Sequence, residues 1–549
     1  MTEAANPFAG LTYGAALEYL ARRHGGREAL TFRDQRYSFA ALKAAADRAS
    51  ARLAALGLRP GDKVAMWLPN RADYVFLWLG ACQIGLVAIM LNTRLKRDEI
   101  AYQLRQSDSR ALLVPGSTGF REFLDDVAGL CPEIRTPRPA GFAAFPELRH
   151  VVCCDAPPAG FPGLTAWSAL DGATALPPLA TDPEQPALLA YSSGTTALPK
   201  GVLVTHSIWR KAWDMGARLD WTREDCLYLT IPMFGSMATM NGFLQSWVKG
   251  GRVVLGEHFD ATQCLATVAA ERPTIIHLLP EMARQICAHP ARNRYDTSSL
   301  RVAFVLSIDQ SVLSMVEDDM RVPSVLTGYG MTETSTVVCR NRWDDPREVR
   351  FTTQGRPLPG LEVAIADPET GAALPAATLG EILVRGYAVT PGYYRKPEEY
   401  AKAMRADGWF RTGDKGFLNA EGRISFQGRI GDDYKSRGFN VSPAEIEAVA
   451  ATHPAVNQAA VVGVPDALHG ALGVLFVIPE RDVRCDAEVL LGFLREKLAG
   501  YKVPAAVIFV DAFPLTEGTG KVQKFRLREI ALRSAASPAG EPQPAGAAG

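Results

Sequence analysis

Seven short apolar runs, each set apart by stretches of other character, limit most strongly what this chain can fold into. They are VAMWLP from Val64, HVVCC from His150, ALLAYSS from Ala187, CLYLTIP from Cys226, RVVLGE from Arg252, TIIHLLP from Thr274 and VAFVLS from Val302. Strands joined by roughly 15 or more helical residues run parallel, and a parallel sheet has to be covered on both faces. The fold class is therefore α/β. After about residue 355 the spacing shortens (LEVAIAD, GEILVRG, GRISFQG) between Gly, Pro and Asp turns, a pattern of antiparallel strands in a small barrel or meander. From Pro443 a helix, two strands, a helix and a strand follow, a compact α+β unit that reads as a separate domain. The polar segment GRIGDDYKSRGFN, 428–440, is the junction, and the Ala/Pro/Gly tail 536–549 reads as disordered.

The 549 residues supply three or four domains' worth of chain, and 47% hydrophobic content excludes a mainly disordered one. Lys+Arg and Asp+Glu balance at 59 each, so no net field draws the chain to nucleic acid or to an anionic membrane. Nine scattered cysteines without a C-x-x-C pair read as reduced thiols in a cytoplasmic protein, and the first 25 residues lack a secretory apolar core. Tyr74–Leu91 is 18 residues without a charge, close to a membrane span. Gln83, two glycines and the run Val87, Ile89 favour a buried helix followed by a buried strand.

The strongest local signal is YSSGTTALPKGV, Tyr191–Val202, directly after an apolar strand. Ser192, Ser193, Gly194, Thr195 and Thr196 offer hydroxyls and approachable N–H groups, and Lys200 adds a cation; together such groups wrap phosphate oxygens. The spacing is not that of a Walker A loop, and an isolated string of this kind reads more readily as a polar turn. In GYGMTET, 328–334, Tyr329 can stack on a base and Glu333 offers a hard carboxylate oxygen suited to Mg²⁺. Further motifs are GRPLPG at Gly355, GYYRKPE at Gly392, GWFRTGD at Gly408, the junction at Gly428, and TGKVQK at Thr519.

Taken in this order over nearly the whole length, these motifs resemble the adenylate-forming superfamily of acyl-CoA synthetases, luciferases and peptide-synthetase adenylation domains. The resemblance implies a large N-terminal domain, 1–428, of two α/β subdomains and a small β-barrel, a hinge at 429–432 and a mobile C-terminal domain at 433–535. It implies ATP held by the loop Ser192–Thr196, Lys200, Tyr329 and Thr332, with Asp414 on the ribose hydroxyls and Arg429 as a second contact. Glu333 is the implied Mg²⁺ ligand, and Thr196, Glu333 and Lys521 are the implied catalytic set. Lys521 would meet carboxylate and α-phosphate in the first half-reaction. Gly431 would be the pivot, and Lys435 and Gly438 would serve the second half-reaction with CoA. The loop before Lys521 is one residue longer than usual between Pro514 and Gly520.

The acyl side departs most from the family. An aromatic followed by His is common after the strand CLYLTIP, whereas this chain has Phe234 followed by Gly235; a Gly-Gly-Ala element is replaced by Ile308, Asp309 and Gln310. Candidate pocket residues are Phe234, Gly235, Met237, Met240, Ile308 and Met331, although a methionine and aromatic stripe is more often plain core. Ile308 either narrows the pocket or points into the core. No Asp stands at Gly235 to hold an amino acid's amine, with Asp309 a conceivable substitute. The expectation is an AMP-forming ligase of fatty acid metabolism that joins a fatty, alicyclic or aromatic acid to CoA, using ATP and Mg²⁺. It needs no nucleic acid or integral membrane partner and is compatible with a homodimer. The alternatives are an acyl-AMP ligase that loads a carrier protein, and a degenerate ATP- or acyl-binding relative without turnover.

Overall fold

The computed structural model describes the chain except for residues 1–5, 119–120, 171–175, 193–198, 431, 437–438, 467–469, 482, 499, 517–520 and 537–549. The described residues form two compact units. One extends to residue 426 without 413–415; the other holds 413–415 and everything from 427 onward.

All seven apolar runs are strands. In the first unit they lie in two seven-stranded sheets. One has the order 324–326, 302–305, 275–278, 226–229, 252–255, 28–32, 35–38; the other 165–166, 150–153, 109–114, 63–66, 87–90, 186–192, 200–205. Neighbours pair in parallel in both, except for one antiparallel hairpin at an edge of each, 28–32 with 35–38 and 186–192 with 200–205. The shorter-spaced region forms a four-stranded sheet in sequence order, 361–366, 380–386, 410–418 and 424–429. It has the antiparallel hairpin order expected of a meander, with Leu361 opposite Gly386 in its first pair.

The uncharged segment from Tyr74 is the helix Ala72–Gln83 followed by the strand Val87–Met90, and no described helix is long and apolar enough to cross a membrane. Gln83, wholly buried, donates to Asp47 Oδ1 at 2.9 Å and to Ser50 Oγ at 2.6 Å, which satisfies both donors of the amide that the helix brings inside. Ser50 in turn donates to the Gly80 carbonyl at 2.7 Å, so the helix Phe39–Ala55 packs backbone-close on its neighbour.

The second unit is a sheet of 439–441, 434–436, 470–479 and 456–466, with 506–509 added in parallel to 470–479. Alternation splits its core: Val461, Leu475 and Val477 pack with Ile446, Leu490 and Leu494 on one face, while Ala460, Val462 and Phe476 pack with Leu527 on the other. The helices Pro443–Ala450, Ala487–Lys497 and Lys524–Ala536 supply those partners. Ala536 closes the last helix, and the rest of the tail expected to be disordered lies outside the described residues.

Gly80 shows how tightly the first unit is packed, since an added Cβ would lie 2.7 Å from Ala49 Cβ and 2.8 Å from the Ala46 carbonyl oxygen. Helix propensity alone favours Ala over Gly by about 1 kcal/mol. Forcing the two helices apart costs about 1–3 kcal/mol and wins. Gly80→Ala should therefore lower stability in urea or thermal denaturation; a stabilised variant would contradict this packing.

Candidate active site

The GYGMTET segment forms a tight hairpin. Gly328–Met331 pairs antiparallel with Thr336–Arg340 across a short helical turn, 332–334. Gly330 is obligatory, because a Cβ there would sit 1.9 Å from the Thr336 carbonyl oxygen. Ser335 and Thr336 both have positive φ, 52° and 84°, the second a costly angle for a β-branched residue. Lys211 is the counterweight. Wholly buried on the helix Ile208–Arg218, it donates to the carbonyls of Thr334 and Ser335 at 2.7 Å each. Burial pulls its pKa well below the ordinary lysine value.

This turn presents Glu333, only 6% exposed. The Tyr393 hydroxyl donates to Glu333 Oε1 at 3.1 Å, and the Thr390 amide donates to the Glu333 carbonyl at 2.7 Å. The Lys200 ammonium lies 4.9 Å from the Tyr393 ring centroid and pairs with Glu399 at 3.0 Å. Lys396 first, and then Lys200, hold the Glu399 carboxyl below the usual carboxylate range. The carboxylate and the cation singled out in the sequence thus meet through Tyr393, a residue of the GYYRKPE motif to which the sequence reading gave no role. Two tyrosines in a turn motif were its only signal.

Lys200 closes the hairpin of the phosphate-loop candidate, opposite Ser192 in the register. Ser193, Gly194, Thr195 and Thr196 lie outside the described residues. Tyr329 is 4% exposed and stacks on Phe426 with centroids 5.7 Å apart, so one ring face is already covered. Thr332 and Met331 are half-buried beside it.

On the acyl side, Phe234 and Gly235 are half-buried and lead into a helical run that changes from α (236–238) to π (239–244) and back to α (245–247). Met237 and Met240 on that run are buried in the main hydrophobic cluster. Ile308, after the strand Val302–Val305, is 45% exposed, which removes the core alternative for it. Asp309 is engaged locally: it accepts from the Ser311 amide at 2.9 Å as a helix cap and pairs with Arg284 at 3.6 Å. Asn70, absent from the candidates, pins the approach to Phe234. It donates to the carbonyls of Ile231 and Gly256 at 3.2 and 3.0 Å and accepts from the Met233 amide at 2.7 Å.

In the second unit, Asp414 is buried and pairs with Arg429 Nε at 3.0 Å. Lys415, also buried, pairs with Asp433. Lys521 is exposed at the base of a narrow loop. Its carbonyl accepts from the Thr516 amide at 2.6 Å, and the Gln523 amide donates to the Pro514 carbonyl at 2.7 Å. The extra residue of that loop falls in or beside 517–520, outside the described residues, as do Gly431 and Gly438. Lys435 lies on the strand Tyr434–Ser436, opposite Asn440. Among the described residues no group of three His, Cys, Asp or Glu could hold a metal ion.

Comparison with known proteins adds three observations. Residues 17–394 match the AMP-binding enzyme family, and 445–521 match the AMP-binding enzyme C-terminal domain. Curated relatives include the 7a-methyl-1,5-dioxo-octahydro-1H-inden-4-yl propanoyl:CoA ligase of Rhodococcus jostii, 35% identical over 94% of this chain and 98% of its own. The mitochondrial medium-chain acyl-CoA ligase ACSF2 of Mus musculus is 30% identical over 94% and 87%. Among solved structures, the anthranilate CoA ligase AuaEII in complex with anthranoyl-AMP superposes with a TM-score of 0.85 at 28% identity, over 96% of this chain and 98% of that one.

The Asn70 clamp can be checked locally. Asn70→Ala leaves two buried carbonyls and one amide without their partner, a loss of about 1–3 kcal/mol. Hydrogen exchange at the Met233 amide should accelerate; unchanged protection would show that packing alone fixes this loop.

Proposed function

The chain belongs to the AMP-binding enzyme family, and from that premise we propose that it joins an apolar fatty, alicyclic or aromatic acid to CoA, with Glu333, Lys200 and Lys521 as the principal chemical groups. It is an ATP-dependent acyl-CoA ligase: acid and ATP give an acyl adenylate and pyrophosphate, and the acyl group passes to a thiol with release of AMP. The observation that carries the residue assignment is the linked set Glu333–Tyr393–Lys200. A buried carboxylate is oriented by a phenol whose ring also seats Lys200, the cation that follows the Ser/Thr/Gly motif in the sequence.

A lone hard carboxylate fits Mg²⁺, which keeps waters and phosphate oxygens as its other ligands and does not need an all-protein cage. When bound at Glu333, Mg²⁺ would offset charge on the triphosphate. Lys200 neutralises phosphate oxygens from the loop side, and Asp414, oriented by Arg429, accepts hydrogen bonds from the ribose hydroxyls. Lys521 bonds the substrate carboxylate and an α-phosphate oxygen as charge builds there during in-line attack. In the second half-reaction the C-terminal domain, 433–535, pivots at Gly431 in the hinge 429–432, bringing Lys435 and Gly438 to the thiol. CoA is preferred to a carrier protein as acceptor because the named relatives are CoA ligases. The nine free cysteines fit a reducing cytoplasm.

Lys521→Ala separates the two half-reactions. Acid-dependent ATP–pyrophosphate exchange should fall by about 10²-fold or more, while supplied acyl adenylate and CoA still give thioester, because the interaction exists only in the adenylation transition state. Equal loss in both assays would overturn the assignment.

A further inference from the structure

A buried polar seam runs behind the acyl side of the first unit. The helical run 236–247 lies along the strand Thr336–Arg340: Thr336 Oγ1 donates to Asn241 Oδ1 at 2.6 Å, and four residues further along both elements Arg340 Nη1 donates to Gln245 Oε1 at 2.9 Å. His277 and Phe304 stand side by side on neighbouring parallel strands, and Phe304 reaches this guanidinium. Arg340 lies 4.3 Å from the Phe304 ring centroid, and His277 lies 5.4 Å from it.

Arg340, His277 and Gln245 are wholly buried, yet Arg340 Nε and Nη2 and Gln245 Nε2 have no hydrogen-bond partner. Lys211 nearby is a second buried cation, already satisfied by its two carbonyls. Among the described residues no Asp or Glu perturbs either cation. Folding has thus sequestered an arginine with free donors and no counter-ion, an arrangement that is costly unless something else supplies acceptors. Burial draws the Arg340 guanidinium down to about 9 and His277 to about 3, so the imidazole is neutral, with one nitrogen a donor and the other an acceptor.

The seam adjoins the acyl candidates. His277 faces the main chain of Met237; Gln245 and Met240 share one helical run; and Arg340 stands opposite Gly328, on the hairpin that carries Met331. We propose that Arg340, with His277 and Gln245, forms the far end of the acyl site and selects acids that carry a second, hydrogen-bond-accepting oxygen, a ketone or a carboxylate, distal to the carboxylate that is activated. This rests on the acyl-CoA ligase reading. It adds a polar anchor to a site whose other candidate residues are mainly methionine and aromatic.

The test measures kcat/KM for pyrophosphate release by the full chain with octanoate, its terminal methyl-ketone analogue and octanedioate. Wild type should favour at least one oxygenated acid over octanoate by about tenfold or more, the worth of one well-placed buried hydrogen bond. A preference for the ketone indicates a neutral hydrogen bond, and one for octanedioate indicates charge pairing. Arg340→Met should lose more on the favoured acid than on octanoate and collapse the ratio, with Arg340→Lys intermediate. A wild-type preference for octanoate, or a parallel fall on all three acids in Arg340→Met, overturns the proposal. Should Arg340→Met fail to fold, His277→Leu and Arg340→Lys must shift the same ratio. If wild type releases no pyrophosphate with any acid, the ligase reading fails instead. The anchor is then judged by melting temperature: an oxygenated acid must raise it more than octanoate does, and equal shifts overturn the proposal.

Discussion

The buried amine of Lys211, shared between the carbonyls of Thr334 and Ser335, is the interaction on which the turn that presents Glu333 depends. Two consecutive residues with positive φ cannot persist on their own merits, least of all with a threonine second. Hydrogen bonds to carbonyl dipoles are stronger in a low-dielectric interior than in water, so the two that Lys211 donates offset both the strain of the turn and the desolvation of the amine. The consequence is geometric. Glu333 is held buried on the turn, where Tyr393 and Thr390 complete its positioning. Gly330 allows the two hairpin strands to approach at this point, and no other residue would fit.

The architecture was legible in the sequence wherever burial imposes a period. Seven apolar runs became seven strands because a parallel strand covered on both faces has to be apolar throughout. The uncharged segment from Tyr74 resolved as helix and strand because Gln83 finds two partners inside. In the second unit, alternation at 460–462 and 475–477 assigns each residue to one of two cores. The unit boundary was less legible: 413–415 belong with the chain from 427 onward, a long-range association that local pattern does not encode.

The site was legible where a motif keeps its chemistry within a few residues, and illegible where partners come from distant segments. Glu333 and Lys200 could be singled out; Tyr393, which links them, and Lys211, which shapes the turn, could not, since 60 residues separate Tyr393 from the carboxylate it holds and 123 separate Lys211 from Thr334. The pocket candidates divide. Met237 and Met240 belong to the main hydrophobic cluster, whereas Ile308 is half-exposed, because apolar side chains give no sequence sign of which face they will present. Arg340 was invisible for the opposite reason: a lone arginine in a sequence reads as surface charge, and only the fold shows it buried among His277, Gln245 and Phe304.

The central claim is that this chain drives thioester formation through an adenylate. The most direct measurement is the balance of products when the protein is given ATP, CoA and a panel of apolar acids. The account predicts one AMP and one pyrophosphate for each thioester, with acyl adenylate accumulating on the protein when CoA is withheld. Formation of ADP and phosphate, or thioester without AMP, would contradict it.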